Sequence, residues 1–156
     1  MPFLPAGRFE SKQLIIMTAS KMYLEHVNIT VNNLEEAIQF FQTAFPHFKI
    51  RGGGDKLREW VHLGDEHTYI ALNQAEAPLQ KVEKNYEKAG VNHIGFVVQD
   101  VEEIANKLLT KGYQRDYPKQ VEKFRIRDYF ADTDGNQYES VQYLSEVPAE
   151  KNDYNE

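Results

Sequence analysis

The feature that most constrains this chain is that it repeats itself. Shifted by 67 positions, the segment from His26 to Thr43 falls on the segment from His93 to Thr110. His26 then meets His93, Val27 meets Ile94, Ile29 meets Phe96, Val31 meets Val98, Asn33 meets Asp100, Glu35-Glu36 meets Glu102-Glu103 and Phe41 meets Leu108. A repeat of this length marks two copies of one supersecondary unit that bury a shared surface, and a site at their junction draws equivalent residues from both. The duplicated histidine is therefore the residue to follow.

In the first copy, Val27, Ile29 and Val31 alternate with His26, Asn28 and Thr30, which predicts a strand over 23–31 with one apolar and one polar face. Asn33 then caps a helix with Glu36 as its capping-box partner, and Leu34, Ala37, Ile38 and Phe41 give that helix an apolar stripe ending near Phe45-Pro46. Strands over 48–51, 57–63 and 67–73 follow, separated by the turn signals Gly52-Gly53-Gly54-Asp55 and Gly64-Asp65-Glu66. The second copy repeats the order. A strand over 93–99 leads to an Asp100 cap with Glu103, then to a helix striped by Val101, Ile104, Ala105 and Leu108 that ends at Gly112. Strands over 113–118, 124–131 and 136–143 complete it, the last two joined by the tight turn Asp132-Thr133-Asp134-Gly135.

The reading is an α+β fold, two tandem βαβββ modules forming a curved mixed sheet around a cleft. Module one covers 22–73 and module two 93–144, so that 22–144 is a single domain. Residues 74–92 form the crossover linker, with a short amphipathic helix ending at Gly90. Residues 1–21 read as an N-terminal extension outside the fold, Met17 and Met22 being alternative starts, and 145–156 as a solvated acidic tail.

Composition removes several function classes. No apolar run approaches the length that spans a bilayer, which argues against a membrane partner. A net charge of -6 argues against nucleic acid, whose phosphates need clustered Lys and Arg. The chain has no cysteine, so a metal here needs imidazole and carboxylate ligands, and a reducing, cytoplasmic setting fits. A small-molecule partner remains.

The apolar alternates of each first strand have only their module's helix to pack under, so His26 and His93 face the other side of the sheet. That side is too polar for a second sealed core and reads as a cleft. Glu139 interrupts a half-buried strand containing Tyr138, Val141 and Tyr143, where a carboxylate is costly unless it is paired or binds a cation. Two imidazoles and one carboxylate from different strands form a facial triad that suits one divalent transition metal, Fe, Ni, Zn, Co or Mn, with positions left open for substrate.

Leu24-Glu25-His26-Val27-Asn28-Ile29-Thr30-Val31, its echo Val91-Asn92-His93-Ile94-Gly95-Phe96-Val97-Val98, and the late stretch from Tyr129 to Glu139 together resemble the vicinal oxygen chelate superfamily. That superfamily includes glyoxalase I, extradiol dioxygenases, methylmalonyl-CoA epimerases, and fosfomycin- and bleomycin-resistance proteins. The resemblance implies metal ligands at His26, His93 and Glu139, a homodimer that completes each cleft across a two-fold axis, and lyase, isomerase or ring-cleaving dioxygenase chemistry on a substrate with vicinal oxygens. Ala71 stands where glyoxalase I and the epimerases carry a second glutamate, which counts against glyoxalase chemistry in particular.

Tyr129 lies ten residues before Glu139, where extradiol dioxygenases have an active-site tyrosine, and it reads either as catalytic or as packing. His67 shares the parity of Tyr69 and Ala71 and reads either as a cleft acid or base or as a surface histidine near a turn. Arg125 and Arg127 share one strand face, the kind of basic pocket a fosfomycin-type thiol transferase needs, but sit in no recognised motif. Trp60 reads as cleft lining, core or dimer interface. The rival readings are a bleomycin-resistance-like protein that sequesters a drug or metabolite without turnover and a fosfomycin-type thiol transferase.

Overall fold

The computed structural model describes residues 22–83, 86, 87 and 89–154, so the N-terminal extension 1–21 lies outside the described residues. Module one runs β1 (His26–Val31), α1 (Leu34–Ala44), β2 (Lys49–Gly54), β3 (Trp60–Gly64) and β4 (Tyr69–Gln74). Module two runs β5 (His93–Val97), α2 (Val101–Thr110), β6 (Arg115–Val121), β7 (Arg125–Ala131) and β8 (Gln137–Tyr143), and a short helix α3 (Pro148–Lys151) follows it.

Each module closes its own four-stranded mixed sheet, in the order β1-β4-β3-β2 and β5-β8-β7-β6. β1 pairs parallel with β4, and β5 with β8; the remaining pairs are antiparallel. Both histidine-bearing strands are therefore sheet edges with one unpaired side.

The duplicated caps form as their sequences dictate. Asn33 Oδ1 accepts the Glu36 N–H at 3.1 Å, and Asp100 Oδ1 accepts the Glu103 N–H at 3.1 Å. α2 ends at Thr110, and Gly112, just past its Lys111 cap, takes a φ of +92° that is open to glycine and strained for other residues. Phe40, Phe41 and Ala37 of α1 and Ile104, Ala105 and Leu108 of α2 are buried in one core that both modules share. Tyr138 lies 4.9 Å from Phe41, and Phe96 lies 4.8 Å from Phe45, so the aromatic centre of that core is made jointly. The helix-covered faces thus meet back to back, and the histidine faces of both sheets point away from the core.

Three expectations shift. Gly52, Gly53 and Gly54 lie inside β2 rather than in a turn. The cause is packing: a Cβ on Gly53 would sit 2.8 Å from the Trp60 carbonyl and one on Gly54 3.0 Å from Trp60 Nε1. The described residues of the linker contain no helix. The closing stretch contains α3 and folds back onto β7, because buried Arg125 takes backbone carbonyls of that stretch as hydrogen-bond acceptors.

The modules are also pinned at the rim. Asp134 accepts the Asn32 N–H at 2.8 Å and its side-chain amide at 2.7 Å, while its own carbonyl takes the Val82 N–H of the linker at 2.8 Å. The Asp-Thr-Asp-Gly turn is thereby an intermodule joint.

Candidate functional site

Strand register builds the site. β5 and β8 pair with Gly95 opposite Glu139, and β7 and β8 pair with Tyr129 opposite Glu139, which sets the three on one face of the sheet. His93 shares that face by the two-residue period. Its Nε2 lies 3.0 Å from Glu139 Oε2. Gly95 lies against that carboxylate: a Cβ there would meet Glu139 Oε2 in ordinary contact at 3.6 Å, and a larger side chain would crowd it.

Both groups are held from behind. The Tyr129 hydroxyl donates to Glu139 Oε1 at 2.7 Å, and the Tyr86 hydroxyl bonds His93 Nδ1 at 2.8 Å. Tyr86 reaches that position from a left-handed backbone, φ 71°, a costly state for a tyrosine, stabilised where Asn92 Oδ1 accepts its N–H at 2.9 Å. With Nδ1 engaged, the imidazole offers Nε2 to the cleft. Arg127 donates from Nη1 to the Tyr129 oxygen at 3.1 Å and stands 3.7 Å from Glu139 Oε1.

Electrostatics assign Tyr129 a protonation state. Burial, then the hydrogen bond to Glu139 and its charge, push the phenol well above its ordinary pKa, so Tyr129 is a neutral donor at physiological pH. Behind it, Glu122 ion-pairs with both Arg125 and Arg127. Burial alone would raise the Glu122 pKa, and the hydrogen bonds and charges of Arg127 and Arg125 outweigh it and hold the carboxyl below its usual range.

The other predicted residues lie apart from this cluster. His26 is on the first sheet, 43% exposed, bonded through Nδ1 to Glu25 at 3.1 Å and stacked on Tyr69 at 4.7 Å. Tyr69 stacks in turn on His62 at 4.5 Å, and His62 meets Trp60 at 4.8 Å, so Trp60 belongs to the polar face of module one and not to the core. Ala71 lies on that face opposite Asn28 and is buried. His67 is exposed in the turn before β4, where its N–H and that of Thr68 bond Asp65 Oδ1. The turn pulls it out of the strand whose parity would have aimed it into the cleft.

A cavity of about 880 Å³ opens between the free edges of β1 and β5, with Leu24, His26, Val91, His93 and Gly95 in its walls. Among the described residues, no three His, Asp or Glu side chains of one chain cluster closely enough to hold a metal. The donors present are nonetheless of the right kind. An imidazole nitrogen and a carboxylate oxygen converge, each braced by an outer hydrogen bond, and the equivalent imidazole of the other module is solvent-facing.

Sequence parity accounts for His93, Tyr129 and Glu139 lying together. It missed Glu122, for which the Arg125/Arg127 alternation was the available signal, and Tyr86, because the amphipathic pattern of the linker suggested a helix and gave no sign of the left-handed backbone from which Tyr86 reaches His93.

Comparison with known proteins agrees with this fold. A glyoxylase/bleomycin resistance protein/dioxygenase domain from Frankia sp. EAN1pec superposes with a TM-score of 0.67 at 19% identity, covering 80% of this chain and 99% of that one. A glyoxalase family protein from Bacillus cereus superposes at 0.65 with 17% identity, covering 83% and 99%. The fosfomycin resistance protein FosX of Listeria monocytogenes does so at 0.63 with 18% identity, covering 83% and 98%. No curated protein matches the sequence. Likeness at these identities shows the fold, and the family model that matches residues 23–139 shows the family. The chain belongs to the glyoxalase/bleomycin resistance protein/dioxygenase superfamily.

Proposed function

We propose that this protein is a metal-dependent enzyme for a small molecule bearing two neighbouring oxygens. It works as a homodimer in which His93 and Glu139 of one chain are joined by the partner subunit's His26. The observation that carries the reading is the 3.0 Å approach of His93 Nε2 to Glu139 Oε2, with the outer atom of each already braced by a tyrosine hydroxyl. Outer hydrogen bonds of this kind orient the imidazole and carboxylate ligands of a metal. The unpaired edges of β1 and β5, which face one cavity, support the dimer, because a second copy can bring its β5 against this β1 and so close both edges.

A divalent ion bound there supplies Lewis acidity toward a chelating pair of substrate oxygens. The chain's own residues do the rest. Tyr129, kept neutral, fixes one Glu139 oxygen by donation and does not act as a base. Arg127 places a positive charge beside the carboxylate and the phenol oxygen. His67, exposed on its turn, takes no part, and proton movement falls to Glu139. A FosX mutant from Listeria monocytogenes was solved with Mn(II) and 1S,2S-dihydroxypropylphosphonic acid, a ligand with two adjacent hydroxyls, which supports a chelating diol-like substrate class for this fold.

Metal content per chain of tag-free protein, measured with sedimentation and beside Glu139→Ala and His26→Ala, tests the proposal. One transition metal per chain in a dimer, lost in both variants, is the expected result. Its identity then selects the assays, iron pointing to ring-opening oxygenation and manganese, nickel, zinc or cobalt to isomerase, lyase or transferase chemistry. Wild-type protein that stays metal-free after loading would overturn the catalytic reading in favour of ligand sequestration. Full metal retention in His26→Ala would overturn the two-chain ligand set.

A further inference from the structure

Arg125 is a cation whose side chain is 3% exposed. Its partners explain how it is held there. Nε bonds Glu122, Nη1 donates to the Lys151 carbonyl at 2.8 Å, Nη2 donates to the Asp153 carbonyl at 3.3 Å, and the Tyr154 ring lies over the guanidinium at 3.6 Å. Every partner but Glu122 comes from the stretch after β8, beyond residues 23–139 that define the family match. That stretch has its own anchors: the Ser145 hydroxyl bonds Glu150, and the Lys151 ammonium lies 5.1 Å over the Tyr143 ring.

The contacts continue inward without a break. The second oxygen of Glu122 bonds Arg127, whose guanidinium also lies 5.7 Å from the Tyr154 ring. Arg127 donates to Tyr129, and Tyr129 donates to Glu139. Arg127 Nε is buried with no partner, so this guanidinium is not placed by its own full satisfaction. Its neighbours place it, and they are Glu122, Tyr129, Glu139 and the ring of Tyr154.

We propose that residues 145–154 are a positioning clamp for the site. The segment fixes Arg125, Arg125 and Glu122 fix Arg127, and Arg127 sets the Tyr129 hydroxyl that aims Glu139 at His93. Tyr154 and Arg125 are thereby positioning residues for a carboxylate they never touch. The clamp is a statement about geometry; only its effect on metal binding rests on the proposed ligand role of Glu139.

The test uses Tyr154→Ala, with Tyr154→Phe as the variant that keeps the ring. Tyr154 is 65% exposed, so truncating it removes no core. Two readouts are taken. The first is hydrogen exchange at Arg127 Nε–H in metal-free protein, followed by NMR. The second is Mn(II) affinity, followed by electron paramagnetic resonance at matched melting temperature. The clamp predicts exchange accelerated at least about tenfold in Tyr154→Ala, Mn(II) affinity lowered about tenfold as for loss of an outer-shell partner, and wild-type behaviour in Tyr154→Phe. Unchanged exchange in Tyr154→Ala overturns the clamp whether or not metal binds. Accelerated exchange in a protein whose wild type takes up no Mn(II) upholds the clamp and removes the metal reading instead. Accelerated exchange with unchanged affinity in a metal-binding protein overturns the claim that the segment reaches Glu139.

Discussion

The two modules share one fold and one register, and only the second carries a braced charged site. Position by position, Asn28 opposite Ala71 corresponds to Gly95 opposite Glu139, and His62 opposite Ala71 corresponds to Tyr129 opposite Glu139. Where module two has a carboxylate, a phenol and a guanidinium, module one has a methyl group, an imidazole and the Trp60 indole. Asn28 in module one bonds Asn73 at 2.7 Å, whereas its counterpart Gly95 has no side chain and leaves the carboxylate room. The duplicated histidine is therefore retained in two different roles. His93 is fixed on both nitrogens, while His26 is solvent-facing, held by stacking on Tyr69 and by one bond to exposed Glu25. Duplication supplies the scaffold, and the neighbours on β4, β7 and β8 decide what each copy does with it.

Moving the carboxylate across tests this difference most severely. Ala71→Glu places a carboxylate at a buried position whose register neighbours are Asn28 and His62, and whose neighbour along the same face, Tyr69, is already engaged by the rings of His26 and His62 and by the Arg51 guanidinium. Unfolding free energy should fall by about 3 kcal/mol, measured by urea denaturation. A loss under about 0.5 kcal/mol would show that module one accepts the charge and that the modules are interchangeable. The converse change, Glu139→Ala, should weaken metal binding at least about 100-fold, since a ligand removed costs more than a second-shell partner; calorimetric titration reads it, and retained affinity would place the metal elsewhere.

Acid should separate the modules more gently. The Glu122 pKa is lowered in the folded state, so its contribution is complete above its unfolded value near 4.5 and disappears as pH falls through the lower folded value. Below about pH 4.5 the Tyr154 ring resonances should change before the fluorescence of Trp60, the single tryptophan, which reports module one. Simultaneous change in both would mean that the arginine pair does not answer to Glu122. Gly95→Ala is the smallest perturbation. Its Cβ would meet Glu139 Oε2 at an ordinary 3.6 Å, so stability should move by less than about 0.5 kcal/mol while metal affinity drops only severalfold. A large effect on stability would show that the glycine serves the backbone rather than the carboxylate.

Much of the fold was legible in the sequence because its signals are local. The Asn33 and Asp100 caps, the helical stripes and the alternation in β1 and β5 each act within a few residues. The triple glycine misleads for the opposite reason: its meaning lies in the Trp60 side chain and carbonyl on the neighbouring strand, a contact that local turn propensity does not encode. The site divides in the same way. Two-residue parity brings His93, Tyr129 and Glu139 onto one face, but it cannot give the distance between two sheets, so the separation of His26 from that cluster was not visible. The tail misleads through composition. Its acidic, polar residues suggest solvation, whereas what anchors it is one aromatic ring and two backbone carbonyls on a buried arginine.

The joint between Asn32 and Asp134 bears on how the protein is made. A ribosome releases the chain from its N-terminus, and module one is complete in sequence once Gln74 has emerged. The Asn32 side chain pairs with the Leu79 backbone of the linker, yet its backbone N–H finds its acceptor, Asp134, 102 residues further on. Throughout the synthesis of the rest of the linker and most of module two, that backbone N–H at the end of β1 has only water to bond, while Gln74, Ala75 and Leu79 already hold the groups beside it. The last turn to leave the ribosome before β8 is thus the one that completes the cap on the first strand, and a translation pause ahead of it prolongs the interval in which β4 and the linker alone hold that end.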